Sequence, residues 1–166
     1  MPESDQVSQH DGQGQLQEFL SSHDIDAEII VPGADTPTVP AAADALGVRQ
    51  EQIVKSLVFS DREGQNVVAI VRGTAKVDRR KLSKAAGIRK PRLASPDVVQ
   101  EVTGYRAGGT PPIGHREQLD VYIDGAVFDE PVVYAGGGEI DALLRITPAT
   151  IKDLTDACVV DICEDE

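Results

Sequence analysis

Lys55 is the residue whose neighbours most demand a chemical explanation. In Ile53-Val54-Lys55-Ser56-Leu57-Val58-Phe59, strand alternation puts it on the face of Ile53, Leu57 and Phe59, where an unpaired ammonium would forfeit much of its hydration. Two readings fit. The lysine stem could lie along the apolar surface of an edge strand with its ammonium in water. Alternatively, the cation could be held at the rim of a pocket, facing an anion or a developing oxyanion. A second feature is the loop Gly104-Tyr105-Arg106-Ala107-Gly108-Gly109-Thr110-Pro111-Pro112-Ile113-Gly114. Its glycines let backbone approach a ligand with N–H groups exposed, and its paired prolines stiffen the path so that those donors stay aimed. Such a loop suits an ester carbonyl or a phosphate, although a plain turn has the same composition. It lacks the Gly-Lys-Ser/Thr ending of a Walker loop. Gly136-Gly137-Gly138 reads as a further close backbone approach or as a wide turn.

These residues need elements to position them. Thr38 to Gly47 carries a capping hydroxyl, a first-turn proline, three alanines and a terminal glycine, which punctuates one short helix. Ile53 to Ser60 and Val67 to Arg72 read as neighbouring strands across Asp61-Arg62-Glu63-Gly64. Asp78 caps a helix that ends at Gly87, and Ser95-Pro96-Asp97 starts another that stops at Gly104. Gln15 to about His23 is an amphipathic helix, and Thr147-Pro148 opens a last one to about Ala157. The other strand candidates are Ala27 to Val31, Leu119 to Asp124, Pro131 to Ala135, Ile140 to Ile146 and Cys158 to Ile162. Helices and strands interleave without an even βαβ repeat, so the class is mixed α/β (α+β), a central mixed sheet with helices outside. The expected organisation is a polar, disordered tail over residues 1–14 and one domain over 15–166.

Conventional catalytic sets are thin. No serine sits in Gly-x-Ser-x-Gly, neither Cys158 nor Cys163 has an evident histidine partner, and His115, directly after the glycine loop, reads as a solvated loop residue. Two cysteines and three histidines (His10, His23, His115) cannot supply a closed four-ligand zinc site by usual spacings, so no metal and no cofactor is expected, and the thiols should be reduced. The 166 residues contain no apolar run near the roughly 20 that span a bilayer, and the polar start is unlike a signal peptide; a cytoplasmic protein without a membrane partner is expected.

The net charge of −12 would argue against a nucleic-acid partner, but the charge is segregated. Residues 49–116 hold 14 of the 16 basic residues and 6 of the 28 acidic ones, so an acidic chain has a basic middle. Its acids favour Asp and its bases Arg, a pattern associated with solubility in concentrated salt. From Arg72 to Arg92 nine basic residues stand against one acid, Asp78. Arg79, Arg80, Lys81, Lys84, Arg89 and Lys90 are the candidates there for contacts to RNA phosphates. A solvated helix face is the other reading. Without aromatic interleaving, any such contact would be to backbone.

Three segments occur in one order: Thr38-Val39 with its Ala-Leu-Gly helix, Gln52 to Phe59 around Lys55, and Gly104-Tyr105-x-x-Gly108-Gly109-x-x-Pro112-x-Gly114. They continue through Val121-Tyr122-Ile123-Asp124, Val133-Tyr134-Ala135-Gly136-Gly137 and the Thr147-Pro148 helix. Over about Gln15 to Asp161 the chain resembles the YbaK/EbsC family, relatives of the editing domain inserted in bacterial prolyl-tRNA synthetases. The resemblance implies a curved mixed sheet flanked by helices and hydrolysis of wrongly charged aminoacyl-tRNA, with an aminoacyl-tRNA synthetase as a candidate partner and no role for DNA. It places Lys55 on the family's essential lysine. Thr38, Ser56, Gly108, Gly109, Thr110, Pro111, Pro112, Gly114, Gly136 and Gly137 fall around the aminoacyl end. Two departures bear on substrate choice: Pro111 stands where many members have Ser, and Ile30 where an aromatic is common. With Thr38 and Thr110 they are the candidate selectors. A small side chain such as Cys or Ala is the expected cargo, with tRNA-Pro as a candidate carrier. A rival from another class is a non-catalytic adaptor that binds an aminoacyl-adenosine-like ligand or tRNA through the same fold.

Overall fold

The hairpin at the centre follows from its residues. Apolar residues, mostly branched or aromatic, run along β2 (Val54–Ser60) and, without interruption from Val67 to Val71, along β3 (Asn66–Arg72), which pair antiparallel with Ser56 opposite Ile70 and Val58 opposite Val68. Asp61 sets the turn by accepting the N–H groups of Glu63 and Gln65. The computed structural model describes residues 12–32 and 38–165. In order they form α1 (Gly12–Ser22), β1 (Glu28–Ile30), α2 (Val39–Leu46), β2, β3, α3 (Arg79–Ala86), β4 (Arg92–Leu93), α4 (Pro96–Thr103), β5 (Asp120–Asp124), β6 (Val133–Gly136), β7 (Leu143–Ile146), α5 (Pro148–Thr155) and β8 (Cys158–Val160).

The mixed α/β class and the mixed sheet expected from sequence are present, the strands falling into two sheets. One has the order β4-β2-β3-β5-β8, with β5 and β8 parallel to β3 and the rest antiparallel; the other is the antiparallel β1-β7-β6. A parallel bridge between Ile53 and Tyr134 joins them at the entry to β2. β3 is buried on both faces. Val68 and Ile70 enter a core shared with α1, α4, α5 and the smaller sheet, whereas Val67, Ala69 and Val71 enter a second core closed by Leu82 of α3, Ile88 and Ile162. A third cluster, Ala42 and Ala43 with Ile53 and Leu143, seats α2 over the junction of the sheets. The buried carboxylate of Asp124 ties down the chain's end, accepting the N–H groups of Ala126 (3.1 Å) and Ile162 (3.0 Å).

The helix signals read from sequence sit where expected. Thr38 caps α2, Asp78 α3, Ser95 α4 and Thr147 α5, and Gly47, Gly87 and Gly104 end the first three in left-handed conformation. α1 starts three residues earlier than the expected tail boundary. The Gly12 N–H is held 2.7 Å from a Glu139 carboxylate oxygen and the Gly12 backbone packs on Gly138, a tertiary contact that no local pattern announces. Residues 1–11 of that expected tail lie outside the described residues. Among the described residues no helix is long and apolar enough to cross a membrane.

Candidate active site

Where β2 begins and the two sheets meet, a cavity of about 270 Å³ opens under α2. This is just below the size usual for small-molecule sites. Val39 and Ala42 of α2 form one wall, Ile53 to Leu57 the floor, and Ala135, Gly136, Ile140, Ala142 and Leu143 of the β6–β7 arm another, with Gly108 and Thr110 closing the rim. α2 can lie so close because Gly73 has no side chain. A Cβ there would stand 2.4 Å from a Val39 methyl, and the Gly73 N–H donates to the Ile53 carbonyl at 2.7 Å.

Lys55 is half-buried and, among the described residues, has no hydrogen bond or ion pair. Burial lowers its pKa from the ordinary lysine value, and nearby Lys76 lowers it further; a Cys163 thiolate would raise it. That thiolate does not form near neutrality. Burial foremost, then the adjacent Asp124 carboxylate, pushes the Cys163 thiol up to about 12. Among the described residues, Lys55 is therefore a cation without a counter-charge at the cavity wall, on the strand face it shares with Leu57 and Phe59. Next to it, the Ser56 hydroxyl is buried without a partner.

The glycine loop owes its course to packing. Tyr105 is buried, and its phenol is pushed up to about 12 by burial. Its N–H donates to the Thr103 hydroxyl, which in turn donates to the Val99 carbonyl. The Gly109 N–H is consumed by the Arg106 carbonyl, and the Gly109 carbonyl accepts from Gly138. The prolines offer no N–H. The free donors at the rim, with no backbone partner among the described residues, are those of Gly108 and Thr110. Gly108, at φ +91 with open space around it, is the glycine a ligand can approach. A Cβ on Gly109 would lie 2.8 Å from the Glu139 backbone, and one on Gly136 2.2 Å from the Thr110 carbonyl oxygen, so these two glycines let the loop and the β6–β7 turn touch.

Of the residues singled out in sequence, Thr38, Lys55, Ser56, Gly108, Thr110 and Gly136 line this one cavity. Gly109, Gly137, Pro111 and Pro112 are buried behind its wall, and Gly114 lies against the Phe19 ring, away from it. Ile30 is paired with cavity-lining Leu143 but stays outside. His115 is partly buried and not a fully solvated loop residue. Its Nε2 donates to the Pro111 carbonyl at 2.7 Å, and burial lowers its pKa, so a neutral imidazole braces the loop. Sequence reasoning missed Gly73, Ala135, Ala142 and Ile140; only the run of small residues after Tyr134 hinted at them. Arg79, Arg80, Lys84 and Lys90 share one cleft, Arg89 is exposed beside them, and Lys81 is turned away to Asp161, Asp165 and the Cys163 carbonyl.

A small, largely apolar chamber with a half-buried ammonium in its wall and two backbone N–H groups at its rim that have no backbone partner among the described residues is equipped to stabilise negative charge developing on a carbonyl oxygen. Residues 33–154 match the family described as the aminoacyl-tRNA editing domain. The chain belongs to that family. Its members are associated with hydrolytic removal of amino acids from tRNA. The chain is 32% identical over 129 residues to YwhH, an uncharacterised Bacillus subtilis protein, the match covering 77% of this chain and 82% of that one. It is 27% identical over 132 residues, 80% of each, to EbsC of Enterococcus faecalis, provisionally named a Cys-tRNA(Pro)/Cys-tRNA(Cys) deacylase. A solved structure provisionally described as a trans-editing enzyme for prolyl-tRNA synthetase superposes with a TM-score of 0.85 at 35% identity, covering 93% of this chain and 98% of that one.

Proposed function

We propose that this chain is a free-standing deacylase that hydrolyses the ester of mischarged aminoacyl-tRNA, and that the half-buried Lys55 cation beside the Gly108 and Thr110 N–H groups is its catalytic element. The ester carbonyl oxygen faces these groups. A water molecule, or a nucleophile on the amino acid itself, attacks the carbonyl carbon, the bond to the ribose oxygen breaks, and that oxygen leaves with a proton. No protein nucleophile is needed, because positioning and charge stabilisation carry an ester hydrolysis far. The apolar walls and the small chamber favour a small cargo such as Cys or Ala; the provisional name of the Enterococcus relative supports Cys, and the description of the trans-editing structure supports tRNA-Pro and a synthetase as partner. A pocket of this kind separates cargoes one methylene apart by about 1–3 kcal/mol, so discrimination among small residues is modest.

The test is release of radiolabelled amino acid from a panel of mischarged tRNAs by wild type and Lys55→Met. The variant should lose about 10²- to 10³-fold in kcat/KM, the usual loss for one oxyanion-stabilising group. It should keep or raise its thermal stability, since burial already disfavours the charge it removes. Equal hydrolysis by both proteins removes Lys55 from the chemistry. If neither protein releases any amino acid while a non-hydrolysable aminoacyl adenosine binds, the adaptor reading replaces this one.

A further inference from the structure

Among the described residues the ion pairs belong to Arg49 and Lys81, so a cation without one is common in this chain. What sets one group apart is that its members are clustered. Arg79, Arg80, Lys84, Lys90 and Arg92, all exposed, line a cleft of about 480 Å³ between α3 and β4, and none has an ion pair among the described residues. A neighbouring hollow shares Lys90 and Arg92 and adds Arg62; its one acid, Asp61, is engaged by the turn it caps. Within the same helix, Lys81 is neutralised and lies apart from this group, its ammonium 3.1 Å from both Asp161 and Asp165. Five concentrated charges without an ion pair among the described residues mark a site for a polyanion.

Its placement says which. β2 carries Lys55 at one end and, at the other, Ser60, which pairs with Arg92 of β4. Five residues of strand span about 17 Å. At the stacked spacing of about 3.4 Å per nucleotide that distance holds about five nucleotides, and fewer where a strand is unstacked. At the Lys55 end, Lys76 stands near enough to Lys55 to perturb it, and Asp78, the cap of α3, follows Lys76 directly after Val77. We infer that the α3–β4 cleft binds the phosphodiesters of the single-stranded acceptor end of the RNA, a few nucleotides from the terminus whose ester lies at Lys55. The inference rests on the deacylase reading for its orientation, and on the cleft alone for its charge. Without aromatic side chains in the cleft, it reads backbone and not sequence.

The experiment measures binding of a fluorescent, uncharged RNA minihelix with a four-nucleotide 3′ overhang to the full chain, as a function of salt. Arg79→Gln/Arg80→Gln/Lys84→Gln is compared with Lys81→Gln and Lys152→Gln, the latter a remote exposed cation on α5. The triple variant should bind at least tenfold more weakly at low salt, with the slope of log K against log salt smaller by about 2, at about 0.7 for each single-strand phosphate that is no longer neutralised. Both controls should match wild type. A blunt hairpin without the overhang should bind weakly and be insensitive to the triple change. In hydrolysis, the triple variant should lose kcat/KM on aminoacyl-tRNA yet match wild type on an aminoacyl adenosine ester, which has no phosphates. An unchanged slope, an equal loss in Lys152→Gln, or equal sensitivity of the blunt hairpin overturns the inference. A chain that hydrolyses nothing but shows the overhang-dependent slope change loses its deacylase reading and keeps the cleft.

Discussion

Gly136→Ala tests whether the rim donors are held in place by backbone packed on backbone. The added methyl would meet the Thr110 carbonyl oxygen at 2.2 Å, whereas 3.0 Å is the closest approach such atoms tolerate. The obstacle is main chain, so it cannot swing aside, and loop and strand must part by roughly an ångström. Gly136 is itself fixed opposite Leu143 in the β6–β7 ladder, which leaves the loop as the side that moves. Overpacking of this kind costs about 1–3 kcal/mol, which is a fall in Tm of about 2–4 °C for each kcal/mol in a chain of this length. Function should suffer more than stability, because a 1 Å displacement of catalytic groups can cost about 10²-fold. Denaturation melts and kcat/KM for deacylation are read on the same preparation, with Gly125→Ala as control. Gly125 has nothing within 4 Å of its would-be Cβ and no positive φ, so alanine there should be neutral or stabilise by up to about 1 kcal/mol. If Gly136→Ala melts and turns over like Gly125→Ala, this contact does not position the loop, and the rim donors are held by something else.

Two further outcomes concern the supports of the site. His115 has its pKa lowered by burial, so the folded state takes up a proton less readily than the unfolded one; stability should fall as pH drops below the unfolded value of about 6.5, with a slope of at most about 1.4 kcal/mol per pH unit. Urea melts at pH 7.5 and 5.5 should show this loss, and the His115→Gln variant should show less of it. Glu130 is buried and paired with the more exposed Arg49, joining the segment after α2 to the segment before β6. Arg49→Met should cost about 1–3 kcal/mol by stranding the buried carboxylate, and Arg49→Met/Glu130→Leu should recover part of it, both read by chemical denaturation.

Much of this architecture could be read locally. Capping residues and terminal glycines located four helices because each cap is satisfied within a few residues of its own position, as Thr38 is by the Ala41 N–H. Alternation placed Lys55 on the Leu57 and Phe59 face for the same reason. What could not be read is long-range. The parallel partners β5 and β8, the two-residue β4, the division into two sheets and the start of α1 at Gly12 all depend on pairings between segments tens of residues apart. In the loop, glycine content suggested exposed donors, but Gly109 and Gly136 serve chain-to-chain packing and only Gly108 is open. His115 looked solvated because nothing in its neighbourhood announces the carbonyl it braces.

The two sides of the cavity differ in what else depends on them. The Ile53 to Leu57 floor contains the bridge that joins the two sheets and the start of a central strand, so substitutions there propagate through the whole molecule. α2 is different: it closes its own ends with Thr38 and Gly47 and presents only Val39 and Ala42 to the chamber, and Ile140 opposite is 58% exposed on a turn. Cargo preference can therefore drift under selection, or be steered by directed evolution, most readily through Ile140, whereas Val39 and Ala42 are held by their packing on Gly73 and Ile53.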